Sequence, residues 1–144
     1  MLRGFFVGGA NVQSVAANLG LLIGRLGWGL LLALLHGLGK LPPSERFIGG
    51  VETLGFPAPT LFAWAAALAE FAGGLLVAAG LLTRPAALAI VFTMVVAAFM
   101  RHGADPMEKK ELALVYLTFG LLYLIVGAGK YSIDWLISHG RRRA

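Results

Sequence analysis

The sequence predicts an all-α fold: a polytopic membrane four-helix bundle with short interfacial helices. Two observations predict it. Of 144 residues, 58 % are apolar and only 13 % are charged, about half the charged share of a soluble domain. Four apolar stretches, about 19–40, 60–82, 84–101 and 106–127, approach or reach the roughly 20 residues a helix needs to cross a bilayer. One such domain leaves little room for a soluble module. Cysteine is absent, which excludes structural disulfides, thiolate-held zinc or iron–sulfur centres and thiol-relay redox chemistry. The net charge of +5 includes Arg141, Arg142 and Arg143 at the C-terminus. Such a cluster suits a cytoplasmic tail, so the expected partner is the lipid bilayer and no nucleic acid.

Each element has its own signal. Residues 1–18 read as an arm, since Gly4-Phe-Phe-Val-Gly-Gly9 is too short an apolar core for a secretory signal. The first span carries Arg25 and His36, with Lys40 at its end. At about 100° per residue these three and Gly29 fall on one side of the helix. Pro42-Pro43 and Gly55-Phe-Pro-Ala-Pro59 are turn signals. Between them Ser44 can cap a short helix whose Phe47, Ile48, Val51 and Leu54 share a face, so this piece should lie on the membrane surface. The turn between the second and third spans is very short, which makes them antiparallel neighbours. Thr83 is the expected cap of the third, with Pro85 in its first turn. Asp105-Pro-Met-Glu108 reads as the start of the fourth, with Lys109, Lys110 and Glu111 at headgroup level. Tyr116, Gly120 and Tyr123 then share a face, and Gly127-Ala-Gly129 breaks the helix. Residues 130–144 form a last short amphipathic helix capped by Ser132, with Asp134 in its first turn, and the basic tail. Four crossings put both ends on one side. Cations number seven on that side against five on the other, which orients the chain N-in and C-in, as a multi-pass protein of the inner (plasma) membrane.

Glu70 is the residue the spans must accommodate, because the run Thr60–Leu82 holds no other charge. A carboxylate at the centre of such a helix costs about 2.5–3.5 kcal/mol on insertion scales, so it must be neutral or face a partner inside the bundle. Ala66, Gly73, Gly74 and Val77 share its face, and small residues admit a second helix closely. Counting depth at about 1.5 Å per residue from Leu41 puts Glu70 between Arg25 and His36, with Arg25 as the expected partner. His102 and Glu111 fall in the same outer half. One reading is structural, an Arg25–Glu70 pair holding helices in register. The other is a polar, protonatable pocket built from Arg25, His36, Lys40, Glu70, His102, Glu111 and Tyr116. His36, His102 and Glu111 as metal or haem ligands lack any supporting local spacing, so no metal is expected. His139 near the tail reads as a solvated surface residue.

Several of these pieces resemble the DoxX family of small four-helix membrane proteins. They are Arg25, His36-Gly37-x-x-Lys40, Leu54-Gly-Phe-Pro-Ala-Pro59, Glu70 with Gly73-Gly74, Gly80-Leu-Leu-Thr-Arg84, and Gly127-Ala-Gly-Lys-Tyr-Ser-Ile-Asp134. The likeness spans about residues 20–134. Ala128 stands where proline is common and Lys130 where arginine is. The family takes its name from a sulfur-oxidising, quinone-reducing membrane complex. The resemblance therefore implies a quinone-linked accessory subunit, with a quinone head group in the outer half of the bundle. His36 or Lys40 would bond a quinone oxygen, Glu70 or Glu111 would exchange protons, and a redox partner subunit would supply electrons. The alternative is a non-enzymatic scaffold or small permease-like subunit whose buried charges are structural, and oligomerisation stays open.

Overall fold

The computed structural model describes residue 10 and residues 12–140; most of the arm and the tail arginines lie outside the described residues. Six helices follow one another: α1 Val15–Lys40, α2 Glu45–Glu52, α3 Pro59–Ala79, α4 Thr83–Arg101, α5 Met107–Val126 and α6 Ile133–Gly140. No strand occurs among the described residues. Helices α1, α3 and α4 are long and apolar enough to cross a membrane. Helix α5 has 20 residues but opens on Glu108-Lys-Lys-Glu111. Its uncharged remainder, Leu112–Val126, rises about 22 Å.

The helix ends show how the sequence encodes them. Helix α1 starts four residues before the expected Leu19, because the Ser14 hydroxyl accepts from the Ala17 N–H at 3.3 Å. This draws Asn18 out of the arm and into the bundle. Its last two turns change pitch, π-helical over Leu32–Gly37 and 3₁₀ over Leu38–Lys40. Helix α2 begins as expected, with Ser44 Oγ accepting from Phe47 N at 3.3 Å. Pro59 opens α3, and Gly80 ends it in the left-handed region at φ 67°. A Cβ at Gly80 would lie 2.6 Å from that of Ser132, so glycine is required there twice over.

Thr83 is not the cap of α4. Leu82 occupies that place at φ 47°, and Thr83 is the first helical residue. The cap is long-range: the Asp134 carboxylate accepts from Leu82 N at 2.8 Å and from Thr83 N at 3.0 Å. Asp134 does lie in the first turn of α6, which Ser132 caps through Trp135 N at 3.2 Å. Asp105 likewise leaves α5 to start at Met107, since its carboxylate meets His102 Nδ1 at 2.7 Å.

Helix α1 packs on α3, α3 on α4, α4 on α5, and α2 lies across α3. Aromatic contacts from Trp28 to Tyr116, Phe119 and Tyr123 close α5 back onto α1. The α1–α3 contact is the closest. A Cβ on Gly29 would stand 2.7 Å from the Gly74 carbonyl oxygen, and one on Gly74 2.8 Å from that of Gly29. Ile23, Leu61 and Ile125 point outward, each about two-thirds exposed. Apolar surface on every outer face suits lipid as the surrounding solvent.

Candidate functional site

Glu70 is where the interior-face argument put it. Its carboxylate is 4 % exposed, and Gly73, Gly74 and Val77 beside it are buried. Its partner is Lys40, not Arg25. Lys40 Nζ sits 2.6 Å from both carboxylate oxygens, and the lysine side chain is 35 % exposed. One arm of the pair is thus inside the bundle and the other reaches its surface. The same ammonium lies 5.6 Å from the centroid of the Phe47 ring on α2, a cation–π contact that ties the interfacial helix to the pair.

The displacement of Arg25 from Glu70 has a definite cause. Helices α1 and α3 do not end at one level: a Cβ on Gly37 would collide with the backbone of Glu70 and Phe71. Glu70 is therefore level with Gly37, about one turn short of the end of α1, and α3 runs past that end by roughly 10 Å, where α2 covers it. Lys40 stands about one turn above Glu70, within reach of a lysine. The wider π-helical turn just before it also changes how side chains rotate about the axis.

His36 and Tyr116 complete this cluster. Their rings meet edge to face at 5.4 Å, and Tyr116 in turn lies 5.6 Å from the Trp28 ring. Tyr116 is buried and within electrostatic reach of Glu70. Among the described residues, the buried Trp28 indole N–H has no hydrogen-bond partner. Four of the seven expected residues, His36, Lys40, Glu70 and Tyr116, thus come together at the α2 end.

The other three do not. Arg25 is buried at the opposite end, where its two terminal nitrogens donate to the carbonyls of Ala78 and Tyr131. It joins the end of α3 to the turn before α6. His102 bonds Asp105 in the turn after α4, and that hydrogen bond, reinforced by Lys109 and Arg101, holds the Asp105 carboxyl below its ordinary value. Glu111 is exposed on α5. Among the described residues no three His, Asp or Glu side chains converge as a metal-binding set. His139 is exposed and stacks on Trp135 at 4.4 Å.

Two residues escaped the sequence reading. Asn18 is buried; its amide donates to the carbonyls of Val12 and Ser14, and its oxygen accepts from Lys130 N at 2.7 Å. The signal was a lone amide in an otherwise apolar stretch. Phe47 was read as part of the apolar side of α2, but its place beneath Lys40 depends on tertiary packing. No curated protein and no solved structure matches the chain. The family model for DoxX matches residues 20–103, more than half the length and including both ends of the Lys40–Glu70 pair, and the chain therefore belongs to the DoxX family of membrane proteins.

Proposed function

We propose that the protein is a quinone-linked accessory subunit of a membrane oxidoreductase system, with the Lys40–Glu70 cluster as its proton-exchanging part. The observation that carries this reading is the asymmetry of the pair. An enclosed carboxylate is clamped by an ammonium that reaches the surface, with an imidazole–phenol contact beside it. Intramembrane ionisable groups of this kind mark proton or substrate paths more often than structural needs require. Lys40 or His36 would donate to a quinone oxygen and Glu70 would exchange its proton, while electrons would come from a partner subunit. The same reading keeps α5 as a fourth crossing and both ends on the cytoplasmic side of the plasma membrane; a reporter fused to the C-terminus tests that orientation.

The direct test is titration of ubiquinone and menaquinone into the full chain in nanodiscs. Saturable binding that weakens in Glu70→Gln is expected. No saturable binding, or equal binding by wild type and Glu70→Gln, would overturn the reading. A second reading, a scaffold or small permease-like subunit, is favoured by the way Arg25 is used up on backbone carbonyls. It expects Lys40→Met with Glu70→Leu to retain both fold and cellular role.

A further inference from the structure

A cavity of about 150 Å³ lies under α2, between α3 and α4. It exists because Ala65, Ala66 and Ala69 of α3 face Ala89 of α4; larger side chains there would interdigitate and fill it. The Phe56 and Phe62 rings meet at 4.6 Å, tilted by 42°, and both line it. Thr93 is the one polar residue in the lining, and its hydroxyl is already given to the Ala89 carbonyl at 3.0 Å. The side chains therefore offer a guest no free donor, and the Thr93 hydroxyl oxygen is their one acceptor. Water needs two to four polar partners, and apolar cavities of about this size stay dry and accept a benzene-sized guest. Such a lining suits a hydrocarbon guest.

Its source follows from the surroundings. Both walls are membrane-length apolar helices, and Ala65, Ala89 and Phe92 are exposed on the outer surface, so the cavity opens sideways to lipid. The roof is amphipathic: Val51 is buried, whereas Glu45, Arg46 and Glu52 are exposed and their side chains make no hydrogen bond or ion pair among the described residues. One cation beside two carboxylates complements a head group that carries both a phosphate and an ammonium.

We propose that this cavity binds an acyl chain of one zwitterionic phospholipid, with the ethanolamine-type head group against the upper face of α2. The site is separate from the proton-exchanging cluster and does not depend on that reading. A phosphatidylethanolamine with a diazirine near the end of one acyl chain tests it, on the full chain in phosphatidylcholine nanodiscs. Crosslinks should concentrate on segments 62–69 and 89–96, saturate, and be competed better by unlabelled phosphatidylethanolamine than by phosphatidylglycerol. Filling the hollow with Ala69→Leu or Ala89→Leu should cut these crosslinks by about tenfold in protein that still elutes as folded material. The triple change Glu45→Gln, Arg46→Gln and Glu52→Gln should erase the head-group preference but keep the crosslinked positions. Non-saturable labelling spread evenly over the outer faces of α1, α3 and α4 would mean bulk lipid and overturn the proposal. Saturation by a diazirine-bearing isoprenoid alone would likewise overturn the phospholipid assignment.

Discussion

Asp134 is the residue through which the C-terminal helix holds the bundle together, and its removal allows a worked expectation. Two N–H groups at the start of α4, those of Leu82 and Thr83, give their hydrogen bonds to one carboxylate that is 6 % exposed. Hydrogen bonds to a charged group contribute about 1.5–3 kcal/mol each, and the helix dipole favours an anion at this end. In Asp134→Ala the two donors fare differently. Leu82 is 42 % exposed, so water can reach its N–H and recover part of the loss. Thr83 is 1 % exposed, and its N–H is left buried and unpaired. Counting one full loss and one partial loss gives about 2–4 kcal/mol. Asp134→Asn keeps one acceptor oxygen and should cost about half as much. Equilibrium unfolding of the full chain in mixed micelles, titrated with dodecyl sulfate, measures these values; amide exchange at Thr83 measures the local effect. If Asp134→Ala unfolds within about 0.5 kcal/mol of wild type, with Thr83 exchange no faster, the long-range cap is not what holds α4.

Three further outcomes are expected. Gly29→Ala places a Cβ 2.7 Å from the Gly74 carbonyl oxygen, so α1 and α3 must separate, at a cost of about 1–3 kcal/mol. Gly27→Ala, where nothing lies within 4 Å, should be neutral or stabilising by up to about 1 kcal/mol; the same unfolding assay refutes the packing argument if the two variants behave alike. Arg25→Lys replaces a fork that serves two carbonyls with a point charge that serves one, for a loss of about 1–3 kcal/mol, and wild-type stability in that variant would show that one carbonyl needs no partner. The Asp105 carboxyl is held low, first by its hydrogen bond to His102. Its stabilising contribution is therefore present above the ordinary aspartate range and is lost as pH falls through the depressed value. In His102→Gln an NMR titration of Asp105 should move up towards the ordinary value of about 3.9, and an unchanged titration would rule out His102 as the cause.

What could be read from the chain, and what could not, divides along one physical line. Glu70 facing inward followed from one charge in a long apolar run, because the cost of exposing it to lipid depends on nothing else. The caps at Ser44 and Ser132 followed because each acts within three residues. The partner of Glu70 did not follow. It depends on how far α1 and α3 slide past each other, which is set by glycine contacts such as Gly37 on Phe71 and not by where either helix ends. Thr83 was an equally reasonable cap on local grounds, but an aspartate 51 positions away took the role. Pairings made through the backbone of a distant turn leave no periodic trace in sequence, and Asn18 with Lys130 is a second case.

The two polar clusters differ in the kind of partner they use, and that difference decides which of them can change state within a folded bundle. At the C-terminal end Arg25, Asp134 and Asn18 bond backbone N–H and C=O groups. Those groups are fixed once the helices form, and a buried main-chain group left unpaired costs about 1–3 kcal/mol. Such a cluster cannot change partners without partly unfolding, so it serves as a clasp between α1, α3, α4 and α6. At the α2 end the bonds run from side chain to side chain. Lys40 can leave Glu70 for water by rotating its own bonds, because a third of it is already exposed, and no helix end loses its cap when it does. Only the second kind of cluster can exist in two states within one folded bundle. This is why the proposed proton exchange rests on Glu70 and Lys40 and not on Arg25, although Arg25 is the more deeply surprising charge to find in a membrane-spanning helix.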